Sequence, residues 1–331
     1  MKRKGNLYQE IYKFENIVNA YNEVCRNTKN KKKVARFKEY KCIYISRIYN
    51  ILKNKLYKPG PCNVFTIYEP KERRIVSQNM QDKVINHLVA RHILYPAILP
   101  CLLDVNVASR KGLGTSEGIR LAMKFHRICK VKYGDYYILK CDISKFFASI
   151  NHDILKKKLK RRIKDKDALK IVFDIIDAEE NGLSIGAMTS QVLAIFFLND
   201  MDHFIKEVLK IKYYVRYQDD FLLFHPSKNY LKYCLSELEK FLEKEDLLLN
   251  KKTRIYKNTN NFIFLGRNQK GRYIRYRNIK RKLRKRYYLY HTSILSLNSL
   301  VSSSICYQGL CKKHIKFIKG SSWMLPKIVL K

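Results

Sequence analysis

The chain has 331 residues, 46% of them apolar, and carries 68 Lys and Arg against 28 Asp and Glu, a net charge of +40. An excess of that size repels itself unless the working state includes a polyanion, so nucleic acid is the expected partner, bound with strong salt dependence. A membrane surface is the rival, but no membrane partner is expected: no run reaches the ~18 apolar residues needed to span, and Met1-Lys2-Arg3-Lys4 lacks the apolar core of a secretory leader.

From the N-terminus, residues 1–58 read as basic and helical, with Leu7, Ile11, Phe14 and Val18 at helical spacing. A charged break at 29–33 separates them from a second helix over about 37–56, which Lys58-Pro59-Gly60-Pro61 ends. Val64–Ile67 reads as a strand, with Ile75-Val76 its partner across the turn 69–73. Asp82 opens a helix bearing Val84, Ile85, Leu88, Val89, Ile93 and Leu94. After the polar loop Ser109–Thr115, Thr115 or Ser116 is the expected N-cap of a helix carrying Ile119, Leu121 and Phe125.

An apolar strand over 136–143 then delivers Asp142 at its end, followed by Phe146-Phe147 and a basic helix over about 151–162. Gly182–Gly186 leads into a long helix, capped by Thr189 or Ser190, whose apolar face runs from Val192 to Val208. A hairpin follows, with Tyr217-Gln218-Asp219-Asp220 at its tip between Tyr213-Tyr214-Val215 and Phe221-Leu222-Leu223-Phe224. A helix over about 231–244 and a short strand over 262–266 complete the centre. The stretch from Arg272 to Arg286 holds nine Lys or Arg and no acid. The expected class is α+β, ordered as helical cap, mixed region, α+β centre and basic helical tail. Nine scattered cysteines without a Cys-x-x-Cys pair read as reduced thiols of a cytoplasmic protein.

Two adjacent carboxylates at an apolar hairpin tip are costly to desolvate without a cation over them. Taken alone, an Asp-Asp pair is most often a solvated turn. Joined by Asp142 from a second strand, the pair suggests a two-metal site that transfers a phosphoryl group.

Asp142-Ile143-Ser144-Lys145-Phe146-Phe147 and Tyr217-Gln218-Asp219-Asp220, with Gly186 and Ser190-Gln191 between them, resemble the catalytic motifs of reverse transcriptases. Leu248–Thr253 and Phe264-Leu265-Gly266 resemble that family's next two motifs, in the same order. The resemblance implies a right-hand polymerase: a basic helical extension over 1–60, fingers over 61–125, a palm over 126–266 and a basic thumb over 267–331. Tyr57–Pro61, Glu69-Pro70-Lys71, Arg110–Thr115 and Ile185–Gln191 narrow it to the enzymes of diversity-generating retroelements. Gln218, Ala187 and Ser184 depart from that subfamily's usual residues. A retron or phage-defence reverse transcriptase, or an inactive RNA-binding scaffold, are the alternatives.

By this resemblance Asp142, Asp219 and Asp220 are catalytic and, with the Ile143 carbonyl, hold two Mg²⁺ ions, Mn²⁺ being the alternative. Lys71, Arg73 and Arg74 grip a deoxynucleoside triphosphate, since guanidinium groups suit bidentate phosphate contacts. Phe147 excludes a ribose 2′-hydroxyl, Gly186 and Gln191 line the nucleotide site, and Lys252 protonates pyrophosphate. Ile185 replaces a common Gln that hydrogen-bonds the nucleotide, which fits error-prone copying of adenine. Arg110, Lys111, Arg272, Arg275, Arg277, Lys280 and Arg281 are expected on the RNA template and RNA–DNA duplex, and a small basic accessory protein is the expected partner.

Overall fold

The computed structural model describes residues 3–67, 73–260, 262–268 and 276–311. Its class is α+β, as expected. The N-terminal helical pattern is interrupted where Lys13 takes up an extended backbone, so a single turn, Tyr8–Ile11, precedes the helix Phe14–Asn27. The interruption resets the helical phase. Ile17, Ala20, Tyr21 and Val24 face inward, whereas Phe14, placed on the apolar face by the sequence pattern, is 62% exposed. The expected break at 29–33 is present but shorter, spanning 28–30, and the rest of the charged run is helical. Asn30 caps a helix over Lys31–Glu39 by accepting from the Lys33 amide, and the chain bends at Tyr40 before the helix Lys41–Lys53.

Strands β1 (Asn63–Ile67) and β2 (Arg73–Ser77) form a separate antiparallel hairpin. The helix after it, Met80–Val89, begins under Asn79, so Asp82 lies inside its first turn rather than opening it. There the buried Asp82 carboxylate accepts from the Tyr57 hydroxyl, the Gly60 amide and the Asn79 side chain, fixing the 57–60 segment against the helix. The helix Thr115–Tyr133 starts at Gly114, whose φ of 145° suits glycine; neither Thr115 nor Ser116 caps it.

The central sheet comprises β3 (Tyr137–Asp142), β4 (Tyr213–Tyr217), β5 (Asp220–His225) and β6 (Arg254–Lys257), all antiparallel in the order β4-β5-β3-β6. Alternation divides its side chains between two cores. Leu139, Cys141, Tyr214, Phe221 and Leu223 join the main helical core, which runs from Leu7 to Leu247. Ile138, Tyr213, Val215, Leu222 and Phe224 form a smaller core with Phe262, Phe264 and residues of the Thr115–Tyr133 helix. A short hairpin of β7 (Ile263–Phe264) and β8 (Arg267–Asn268) covers this second face.

The expected long helix after Gly186 is three pieces: Met188–Phe197, Asn199–His203 and a π-turn over Phe204–Val208, with Val208 63% exposed. Its hydroxyls do not cap it. Thr189 Oγ1 donates to Asn86 Oδ1 at 2.5 Å, and Ser190 Oγ lies 3.3 Å from Ser184 Oγ, so both act as cross-links. The helix Lys166–Ile176, which the sequence reading passed over, is capped by Asp165; that carboxylate also accepts from the Leu7 and Tyr8 amides, tying the N-terminus to the centre. Two helices, Tyr276–His291 and Leu297–Cys311, end the described chain. Among the described residues no helix is long and apolar enough to cross a membrane.

Candidate active site

β3 and β5 end together. Their register pairs Asp142 directly with Asp220, a position at which antiparallel neighbours bring their Cβ atoms to about 5 Å. Asp219 precedes Asp220 in the two-residue turn between β4 and β5, where Tyr217 pairs with Asp220. Gln218 holds that turn at φ 56°, a left-handed conformation costing a side-chain-bearing residue about 1–2 kcal/mol. What holds it there lies beneath. The fully buried Arg216 donates through Nη1 to the Gln218 carbonyl at 3.0 Å, through Nη2 to the Ile195 carbonyl, and through Nε and Nη2 to Asp202 at 2.7 and 2.5 Å. The 103–110 loop braces the hairpin from the side: the Arg216 amide donates to the Val105 carbonyl at 2.9 Å, the Arg216 carbonyl accepts from the Val107 amide at 3.1 Å, and Gln218 Nε2 donates to Ser109 Oγ at 2.9 Å.

The carboxylates share one electrostatic environment. Burial pushes the Asp220 carboxyl up to about 7; the Asp142 and Asp219 charges add to the rise, while Lys140 and an amide hydrogen bond from Leu265 oppose it. Lys140 Nζ stands 3.8 Å from Asp220 Oδ1 and donates to the Ile263 carbonyl at 2.6 Å, linking the site to the β7–β8 hairpin. Asp220 Oδ1 is buried without a hydrogen-bond partner. An orphaned carboxylate oxygen beside two further carboxylates is an oxygen-rich environment that a hard divalent cation fits. Among the described residues no group of three or more His, Cys, Asp or Glu side chains stands ready-made around a metal position, while the register sets Asp142 and Asp220 side by side.

The backbone after Asp142 is locked to the 248–250 segment: the Asp142 carbonyl accepts from the Asn250 amide at 2.7 Å, and Ser144 donates to the Leu248 carbonyl at 2.8 Å. Ile143, bridged to Leu249, is buried. Lys252 follows that segment and is exposed. Phe147 is half-buried, its ring edge-on to the buried Phe146 at 5.7 Å. Ile185 is half-buried and its carbonyl accepts from Val76 in β2 at 3.3 Å, docking the β1–β2 hairpin on this segment. Gly186, at φ 129°, leaves a Cβ only 3.0 Å from the Val76 carbonyl oxygen, so glycine permits that docking.

The basic residues divide. Arg73 and Arg74 are exposed on β2, and Arg74 pairs with Glu179 at 3.0 Å. Gln191 is exposed on the first turn of its helix. Arg110 is turned inward, donating to the Leu103 and Asn106 carbonyls at 3.0 Å, so it braces the loop beside the hairpin while Lys111 next to it is exposed. Lys71, Arg272 and Arg275 lie outside the described residues; Arg277, Lys280 and Arg281 fall in the helix Tyr276–His291, with Arg281 exposed.

Arg216, Asp202 and Lys140 escaped the sequence reading, although each left a signal: a charge inside an apolar strand or helix has to be paired or functional. Gly182 is another. Its φ is +66°, and a Cβ there would be driven into the Phe147 carbonyl oxygen and within 2.6 Å of Ala148 Cα. Close approach lets Leu183 donate to the Phe147 carbonyl at 2.7 Å while His152 Nε2 lies 2.6 Å from the Gly182 carbonyl. Gly182→Ala is therefore expected to lower stability by about 2–4 kcal/mol, combining left-handed strain with overpacking. A urea midpoint within error of the parent would show that the two segments separate freely.

Residues 52–269 match the family model described as reverse transcriptase (RNA-dependent DNA polymerase). A COX1/OXI3 intron 1 protein of Saccharomyces cerevisiae is 23% identical over 182 residues, which cover 51% of this chain and 21% of that protein. Among solved structures, telomerase of Candida albicans in complex with a TWJ fragment of telomeric RNA aligns at TM-score 0.49 and 15% identity, over 70% of this chain and 48% of the telomerase. The corresponding Candida tropicalis complex aligns at TM-score 0.49 and 14% identity, over 86% and 57%. The chain thus spans about a fifth of the curated relative and about half of these telomerases.

Proposed function

The chain belongs to the reverse transcriptase family, and from that premise we propose that it is an RNA-directed DNA polymerase that copies a template-repeat RNA into error-prone cDNA in a diversity-generating retroelement. The observation that carries the polymerase reading is Asp142 opposite Asp220, with an orphaned buried oxygen, inside the family-matched span. The retroelement assignment is supported by Tyr57–Pro61, Arg110–Thr115 and Ile185–Gln191. Fingers over 61–125, palm over 126–266, thumb over 267–331 and a helical extension over 1–60 are the proposed divisions.

Reverse transcriptase domains use divalent metals. Here two ions, Mg²⁺ or Mn²⁺, would be held by Asp142, Asp219, Asp220 and the Ile143 carbonyl, and when bound they supply acidification of a primer 3′-hydroxyl and neutralisation of the triphosphate. The chain's own groups do the rest. Arg73, Arg74 and Lys71 bind triphosphate oxygens, and Gly186 and Gln191 border the nucleotide. The Phe147 ring occupies the volume that a 2′-hydroxyl needs. Ile185 has no group with which to hydrogen-bond a base, so discrimination there is limited to apolar contact. Lys252 delivers a proton to the leaving pyrophosphate. Lys111, Arg272, Arg275, Arg277, Lys280 and Arg281 follow the template and duplex backbone, and a small basic protein is the proposed accessory partner.

Primer extension on an adenine-containing RNA template tests this reading. The parent protein is expected to require deoxynucleotides and a divalent metal and to misincorporate opposite adenine. Phe147→Ala is expected to admit ribonucleotides, raising their relative use at least tenfold. Absence of any extension would leave an RNA-binding scaffold; faithful copying of adenine would favour a retron-type or defence enzyme.

A further inference from the structure

Two clefts flank the Leu56–Pro61 segment, and their charges differ. The first, of about 800 Å³, has four cations balanced by Asp82, Asp174, Asp177 and Glu179. The second, of about 680 Å³, lies against the Lys31–Glu39 and Lys41–Lys53 helices and is lined by Lys33, Arg36, Arg47 and Lys58. Its one acid, Asp82, already accepts three hydrogen bonds from its own surroundings. Nearby Lys83 is held below its ordinary range, first by burial and then by the Lys33 charge.

We propose that this second cleft binds the backbone of single-stranded RNA at a site separate from the carboxylates; the choice of RNA rests on the polymerase reading. Lys33 and Arg36, three residues apart on one helix, share a face. Arg47 and Lys58 come from two other segments. A free phosphate needs one focus of charge, whereas cations from three segments suit a strand with repeating charge. Between the cations, the half-buried Tyr44 ring and Leu56, 70% exposed at the rim, offer a surface for bases; the buried Phe37, stacked on the buried Tyr21 at 4.7 Å, backs Tyr44 from within at 4.4 Å. A cationic groove with aromatic walls is how proteins hold single strands without reading sequence. The wall is rigid before the ligand arrives: Tyr21 donates to the Phe37 carbonyl, and Asp82 fixes the loop opposite.

Lys33, Arg36 and Arg47 are exposed, so replacing all three with Gln leaves folding intact, which a thermal midpoint checks. Fluorescence anisotropy with labelled oligouridylate across a salt series is the test. The triple variant is expected to bind about tenfold more weakly near 0.1 M salt, with its log–log salt slope shallower by about 2, at roughly 0.7 per lost phosphate contact. Extension of a primer–template lacking a single-stranded overhang beyond the copied bases is expected to be unchanged. Unaltered RNA affinity and slope would overturn the proposal. So would polyglutamate binding the parent as tightly as oligouridylate and losing as much in the variant, which would assign the cleft to an acidic protein. If the parent synthesises no DNA but the variant still loses RNA affinity, the polymerase reading fails and the cleft stands.

Discussion

Asp220→Asn is expected to make the metal-free protein more stable at pH 8 by about 2 kcal/mol while lowering DNA synthesis at least about 100-fold. The stability half follows from linkage. The Asp220 carboxyl titrates near 7 when folded instead of the ordinary 3.8, burial being the main cause. Between those values the folded chain keeps a proton that the unfolded chain has released, so stability falls as pH rises from about 4 to 7 and the full cost is present above 7. Three pKa units correspond to about 4 kcal/mol. The carboxylate keeps 22% of its side-chain exposure and has Lys140 3.8 Å away, so about half of that is a fairer figure. Asn carries no charge and still accepts from the Leu265 amide, so the cost disappears. The gain should shrink as pH falls through the same window, because the parent is then protonated too. Urea midpoints in chelator at pH 8 and about pH 4.5 measure it. The activity half follows from what the charge is for: single electrostatic groups at reacting centres act on a scale of 10²–10³ in rate. A variant less stable than the parent at pH 8 would instead make Asp220 a structural partner of Lys140.

This opposition between stability and chemistry marks what the sequence could convey. The Asp142 strand, the hairpin and its two carboxylates were legible because apolar alternation and turn residues are local signals, and each strand falls within a residue or two of its expected bounds. Less legible were places where a long-range bond overrides a local preference. Thr189 reads as a cap, but Asn86, distant in sequence, takes its hydroxyl. Arg110 reads as an exposed cation in a glycine-rich loop, but two carbonyls of that loop take its guanidinium. Helical phase was misjudged at Phe14 because an extended Lys13 leaves no mark in the apolar pattern. The helix Lys166–Ile176 does carry a local signal in Ala168, Ile171, Val172 and Ile176, all buried at helical spacing.

Asp202→Asn is expected to behave in the opposite sense, destabilising by about 3–5 kcal/mol, because it strands a buried guanidinium. Asp202 and Arg216 have no exposed side-chain surface, and the carboxylate accepts from Arg216 Nε and Nη2 and from the Tyr214 hydroxyl. Removing the negative partner leaves the Arg216 charge uncompensated, with the neutral Ile195 and Gln218 carbonyls and the Tyr214 hydroxyl beside it. Replacing both, as Asp202→Leu with Arg216→Met, should recover most of the loss, since an apolar pair avoids desolvating two charges. Activity is not expected to return with stability. Arg216 Nη1 fixes the carbonyl of Gln218, the strained residue immediately before Asp219, and methionine cannot make that bond. The double variant should therefore unfold near the parent's urea midpoint and yet extend primers with a lowered kcat at little-changed KM for deoxynucleotide. That split separates a residue that positions the carboxylates from one that only holds the core together. A double variant with parental kcat would reduce Arg216 to packing, and an Asp202→Asn protein within 1 kcal/mol of the parent would mean that water or a shifted carbonyl neutralises the guanidinium.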